Sequence, residues 1–144
     1  MAVTAEKNRA NLLRFYEEGW NKGDQSVFEE IVSPSFVDHQ SVPGLPDGRD
    51  GFKMLPVIFR GAFPDLQVTV EDVIAEPTKV ACRWRATGTH EGELFGIPRT
   101  GRSVDVSATA IYKVGPDGRW TEGWLDRDDL GLMQQLVVIP TPGG

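Results

Sequence analysis

The sequence predicts an α+β fold, with helices packed on one face of an antiparallel sheet. Two patterns carry the prediction. Up to about residue 65, apolar side chains recur at helical spacing; beyond it they alternate with polar ones at the period of two of a half-buried strand. The two regimes follow one another instead of interleaving, which separates α+β from a wound α/β sheet. The joints are marked as well, because many of the 16 glycines and 10 prolines fall between the periodic segments.

In the first helix Leu12, Leu13, Tyr16 and Trp20 share one face, with Arg14, Glu17 and Glu18 opposite. Gly23 stops it, and Asp24 caps a short second helix through Val27, Phe28 and Ile31. Ser33-Pro34 ends that helix, and residues 35–39 are extended. Residues 41–51 hold Pro43, Gly44, Pro46, Gly48 and Gly51, a long loop expected to act as a lid or pocket rim. Asp50 is placed to cap a third helix that buries Phe52, Leu55, Phe59 and Phe63. Pro56 requires that helix to start late or to kink. Phe63-Pro64-Asp65 closes the helical half. Strands are predicted over 66–75, 80–89, 104–114 and 119–126, separated by turns at 76–79 and 115–118 and a hairpin arm at 92–101. Residues 130–136 form a last helical turn before a Pro- and Gly-containing tail, 137–144. No repeat or low-complexity linker interrupts the chain, so residues 1–144 read as a single domain.

A chain of 144 residues suffices for one domain that buries roughly 70% of its unfolded surface. A net charge of −6 argues against nucleic acid as main partner, since phosphate neutralisation needs clustered Lys and Arg. No apolar run approaches the ~18 residues of a membrane helix. The first ten residues show no apolar secretory segment, so a cytoplasmic location is expected. A single cysteine, Cys82, excludes an intramolecular disulfide framework and a Cys-rich zinc site; two histidines exclude a His-rich metal site. Phosphate loop, nucleotide fingerprint, nucleophile elbow and HExxH motif are all missing. For an enzyme, proton transfer by histidine or carboxylate is the chemistry best supplied.

Few residues qualify. His90, in Gly88-Thr89-His90-Glu91-Gly92, lies at a strand end beside the hairpin arm, where it either solvates the terminus or serves as a pocket-mouth acid/base. Asp38 and His39 are adjacent on an extended stretch, so at most one enters a pocket. Asp126, Asp128 and Asp129 cluster with Arg127; such groups are usually solvated or cap a helix turn, whereas a buried aspartate acquires a raised pKa useful in catalysis. Phe15, Tyr16, Trp20, Trp84, Phe95, Tyr112, Trp120 and Trp124 suit a core, and equally a pocket for a flat apolar ligand.

The stretch Gly88-Thr89-His90-Glu91-Gly92-Glu93-Leu94-Phe95-Gly96-Ile97-Pro98, followed by Thr100-Gly101-Arg102, resembles the SnoaL-like polyketide cyclases, also called ester cyclases. The run Glu122, Trp124, Asp128, Gly131-Leu132, Gln134-Gln135-Leu136 is similar to the same family. So are Phe15-Tyr16, Trp20-Asn21-Lys22-Gly23-Asp24, Phe36-Val37-Asp38-His39 and Phe63-Pro64-Asp65-Leu66. The resemblance spans roughly residues 8 to 136. It implies the cone-shaped α+β barrel shared with ketosteroid isomerase and scytalone dehydratase. In that fold three N-terminal helices cover a curved, mostly antiparallel sheet and enclose a pocket. It further implies homodimers packed through the sheet, working without metal or organic cofactor. The best-known members close a ring of an aromatic polyketide by intramolecular aldol chemistry; relatives take part in hydroxylation or other ring-forming steps.

Residue by residue the resemblance exposes a departure. The acid/base aspartate of the aldol cyclases falls at Leu125, and Asp126 beside it would face the pocket only through a bulge. Their pocket histidine falls at Ala110, with Ala108 on the same face, and Asp38 lines up with a pocket asparagine. The implied cavity is therefore roomier and more apolar, with Gly123 on the same wall. The expectation is a cyclase of secondary metabolism, of the antibiotic-biosynthesis kind, closing a ring on a polyketide-type small molecule. Asp38 or His90, before Asp126, would move the proton. Trp20, Trp84, Phe95, Tyr112 and Trp124, with His39, Ala110 and Leu125, would contact substrate, under a lid at residues 41–51. Two alternatives stand beside it: a proton-transfer isomerase, dehydratase or hydroxylation partner acting on a polycyclic substrate, and a non-catalytic small-molecule binding protein.

Overall fold

The computed structural model describes residues 3–139; residues 140–144 of the expected tail lie outside them. Helix α1, Ala5–Arg14, opens on Thr4, whose side chain accepts the Lys7 N–H at 3.1 Å. It runs on as a π-helical turn, Phe15–Trp20. The wider turn changes the buried face: Phe15, Tyr16, Gly19 and Trp20 all point inward, while Leu13, expected there, is only half-buried. Asp24 accepts the Ser26 N–H at 3.0 Å ahead of α2, Ser26–Ile31, which leads directly into strand β1, Val32–Asp38. Pro34 is accommodated because β1 is an edge strand.

Helix α3, Gly48–Ala62, starts earlier than expected and shortens the predicted loop. Asp47, not Asp50, sits at its N-cap position, and Pro56 lies inside it, buried. The start is fixed by close approach, since a Cβ on Gly51 would stand 1.9 Å from the Pro46 carbonyl oxygen. Only glycine lets the loop lie flat on the first turn.

Strands β2, Gln67–Ala75, β3, Lys79–Thr89, β4, Ser103–Val114, and β5, Trp120–Arg127, follow. The sheet order is β1-β5-β4-β3-β2, antiparallel throughout except for the parallel β1–β5 pair. It is mostly antiparallel, as expected, but open: β1 and β2 are its two edges, and no pair among the described residues closes a barrel. Helix α4, Asp129–Gln135, adds a fourth helix to the three N-terminal ones. It is capped by Asp128, which accepts the Gly131 N–H at 2.9 Å, and tied to β4 by Gln135, which exchanges two hydrogen bonds with the Asp105 backbone. The alternation in β4 is strict, burying Val104, Val106, Ala108, Ala110, Tyr112 and Val114. On that face Tyr112 stacks on Trp120 at 3.9 Å, and its hydroxyl meets that of Tyr16 at 2.7 Å. Burial holds both phenols well above their usual pKa.

Candidate active site

One cavity of about 400 Å3 opens between the end of β1, the inner face of β5, α3, α4 and the hairpin arm. Phe52, Leu55 and Phe59 of α3 form one apolar wall; Leu94 and Phe95 of the arm and Leu132 and Met133 of α4 form the others. Its size and its apolar lining with a few polar groups are those of a small-molecule site.

Asp38, the last residue of β1, lines this cavity half-buried. Burial pushes its carboxyl above the usual carboxylate range, against the pull of the Gln40 N–H it accepts at 3.0 Å and of His39. His39 turns the other way, as strand alternation requires: it is exposed, stacks on Trp124 at 4.5 Å and meets Glu122 at 3.0 Å. The expected contact of His39 and Trp124 with substrate is therefore corrected, since both sit outside the cavity on the opposite sheet face.

The β4–β5 register decides the last strand. Tyr112 pairs with Gly123, Ala110 with Leu125 and Ala108 with Arg127, without a bulge from Glu122 to Arg127. Leu125 thus faces inward, and Asp126 faces out; it is exposed, reaches only the cavity rim, and accepts a 3.3 Å hydrogen bond from Gln40. Ala110 and Tyr112 are 1% exposed and belong to the core behind the cavity. Trp20 and Trp84 line a separate inner void of about 30 Å3, which shares Phe59, Arg127 and Leu132 with the outer cavity.

His90 is not at the pocket mouth. It is fully buried, 5.4 Å from the Phe63 ring, and its Nδ1 accepts the Thr100 N–H at 3.2 Å. Its neighbours dock the arm on α3. The Glu91 and Gly92 N–H groups both donate to the Ala62 carbonyl at 3.0 Å, and Asp65 accepts from the Thr89 N–H at 2.7 Å and the Thr89 hydroxyl at 2.9 Å. Burial pushes the Cys82 thiol up to about 12, so it is no nucleophile at neutral pH.

Gln40 and Arg127, both lining the cavity, were given no role from sequence. Gln40 bridges β1 to β5, accepting the Leu125 N–H at 2.9 Å. Arg127 faces inward with its side chain 15% exposed, 4.6 Å over the Phe59 ring and bonded to Asp129 at 2.6 Å. The signal for Arg127 was available: it lies two residues beyond Leu125, on the same side of the strand.

The family of SnoaL-like polyketide cyclases matches residues 10–136. Among solved structures, a protein of Jannaschia sp. CCS1 assigned provisionally as a SnoaL-like polyketide cyclase is 26% identical, with 97% of this chain and 98% of that one covered and a TM-score of 0.81. IdmH of Streptomyces antibioticus, assigned provisionally as a polyketide cyclase, is 30% identical over 90% of this chain and 98% of its own, with a TM-score of 0.77. AclR of Streptomyces galilaeus, assigned provisionally as a hydroxylase, is 26% identical over 96% and 85%, with a TM-score of 0.80. A comparison with curated proteins finds no match. The match over most of the chain, with the helix-then-strand architecture and the cavity between α3 and β5, establishes that the chain belongs to the SnoaL-like polyketide cyclase family.

Proposed function

We propose that the cavity takes up a flexible, largely apolar, polyketide-type chain and assists ring closure in secondary metabolism, without metal or organic cofactor. The observation behind this reading is one half-buried carboxylate, Asp38, inside an apolar-walled space of about 400 Å3. A carboxylate raised by burial is a stronger base than a free one, and drawing a proton from carbon demands that. Leu125 and Ala110 occupy the positions where the aldol cyclases carry aspartate and histidine, so the proton chemistry falls to Asp38. Shape supplies much of the rest, because holding reacting atoms in line contributes about 7–11 kcal/mol at best. The likeness to AclR favours a second reading, proton transfer at the same carboxylate in support of hydroxylation. In either role we place the protein in the cytoplasm as a homodimer packed through the sheet.

The test is a ring-closure assay on a linear poly-β-keto thioester mimic, with products separated by chromatography and mass. The wild type is expected to yield cyclic product, and Asp38→Ala to slow it by about a hundredfold or more. Cyclisation by Asp38→Ala at the wild-type rate would remove Asp38 from the chemistry.

A further inference from the structure

Among the described residues, Arg127 is the one cation on the wall of the cavity. Its side chain is 15% exposed, yet it makes a single hydrogen bond among the described residues, from Nε to Asp129. The four N–H groups on Nη1 and Nη2 bond no described protein atom. The fold therefore leaves four donors of a side chain that lines the cavity unused, and a ligand's oxygen can take them up there. Here the Arg127 Cζ rests over the Phe59 ring at 4.6 Å and Asp129 accepts from its Nε, two contacts that hold the group in place and leave its Nη groups free for a ligand. We infer that Arg127 is a further catalytic residue of the proposed reaction: it binds a carbonyl oxygen of the β-dicarbonyl substrate and holds the enolate that forms on it. This inference rests on reading the cavity as the substrate site.

The charges around Arg127 choose between oxygen ligands. Asp129 already offsets its positive charge, Asp38 shares its cavity and Asp126 sits on the rim. A permanently anionic ligand such as a carboxylate meets net negative charge there. A neutral dicarbonyl does not, and becomes anionic only as Asp38 takes its proton. The step balances: the C–H proton between the two carbonyls moves to the Asp38 carboxylate, and the C–H electron pair forms C=C. The carbonyl π pair passes to the oxygen held by Arg127. The enolate carbon then forms the new C–C bond to a further carbonyl farther along the chain, whose π pair becomes an alkoxide that recovers the proton from Asp38. Nothing is oxidised or reduced.

Benzoylacetone probes this without any ring closure, since its enolate absorbs at longer wavelength than its enol. Titration of the wild type near pH 7 is expected to show saturable binding with a growing enolate band, and benzoate is expected not to compete. Arg127→Met, similar in volume, should bind roughly tenfold more weakly or worse and show no enolate band; Arg127→Lys should recover part of it. Thermal melts of both variants check that they are folded. An enolate band in Arg127→Met equal to that of the wild type overturns the inference. So does a wild type that binds no benzoylacetone, or that binds benzoate more tightly. An enolate band in a wild type that cyclises no poly-β-keto substrate would overturn the proposed reaction and leave the role of Arg127 standing.

Discussion

Asp38 sits where stability and reactivity oppose one another. Its folded carboxyl is raised by burial, so the native state binds that proton more tightly than the unfolded chain does. Stability therefore falls as pH rises from the ordinary carboxylate range through the raised folded value. Asp38→Asn removes that loss, and its melting temperature at pH 7 is expected to equal or exceed the wild type's, while melts near pH 4 converge. As a base Asp38 must be ionised, so kcat/KM should climb along an acid limb set above the ordinary carboxylate range; Asp38→Asn should lose that limb and about 10²–10⁴ in rate. Phe95 poses the same opposition in the backbone. It stands at φ +46 beside Gly96 at φ +84, half-exposed, with its ring 5.9 Å from Phe59 at the cavity edge. A bulky residue in the left-handed region costs about 1–2 kcal/mol. Phe95→Asn is expected to raise stability to urea by up to about 1 kcal/mol and to weaken benzoylacetone binding; unchanged binding would make Phe95 mere surface. At this scale the sequence was only partly legible. Asp38 against His39, and Leu125 against Asp126, follow from strand alternation alone. The same rule forbids Trp124 and Leu125 from sharing a wall and demands Arg127 beside Leu125.

The hairpin arm shows why an element's motif can mislead about its role. Gly88-Thr89-His90-Glu91-Gly92 invites a catalytic reading because it contains one of only two histidines. Its glycines tell otherwise. A Cβ on Gly92 would lie 2.3 Å from the Gly61 carbonyl oxygen, and one on Gly88 3.0 Å from the Phe63 Cβ. The motif is flush against the C-terminal end of α3, and His90 is walled in by that contact. Chain spacing cannot reveal this, because α3 ends about thirty residues earlier in the sequence. Gly92→Ala is expected to cost about 1–3 kcal/mol in urea unfolding, since backbone and not a flexible side chain must yield. Its cavity wall would loosen with it, because Leu94 and Phe95 ride on the same arm. A Gly92→Ala protein as stable as wild type would mean the arm is not docked as described.

At the scale of the whole molecule, the order of helices and strands was readable because periodicity is local. The sheet order was not, because the parallel β1–β5 pair joins residues more than eighty apart and leaves no local mark. The open sheet also presents an outer face whose composition bears on assembly. Ile74 is 75% and Ile111 41% exposed there. The charges around them are already matched within one chain: Arg83 with Glu71 and Asp72, Arg85 with Asp105, and Lys113 with Glu122. A surface with its charges satisfied internally and its isoleucines bare gains more from apolar contact with a second copy than from new ion pairs. Each copy nevertheless carries a net charge of −6, so two copies repel at long range. Salt screens that repulsion over a Debye length of about 10 Å at 0.1 M. The proposed dimer should therefore tighten as salt rises, the reverse of an interface built on ion pairs. Sedimentation of the wild type at micromolar concentration is expected to show a dimer whose dissociation constant falls between low and moderate salt. Ile111→Asp should sediment as a folded monomer at both. A wild-type monomer under all these conditions, or a dimer untouched by Ile111→Asp, would leave the outer face of the sheet without this role.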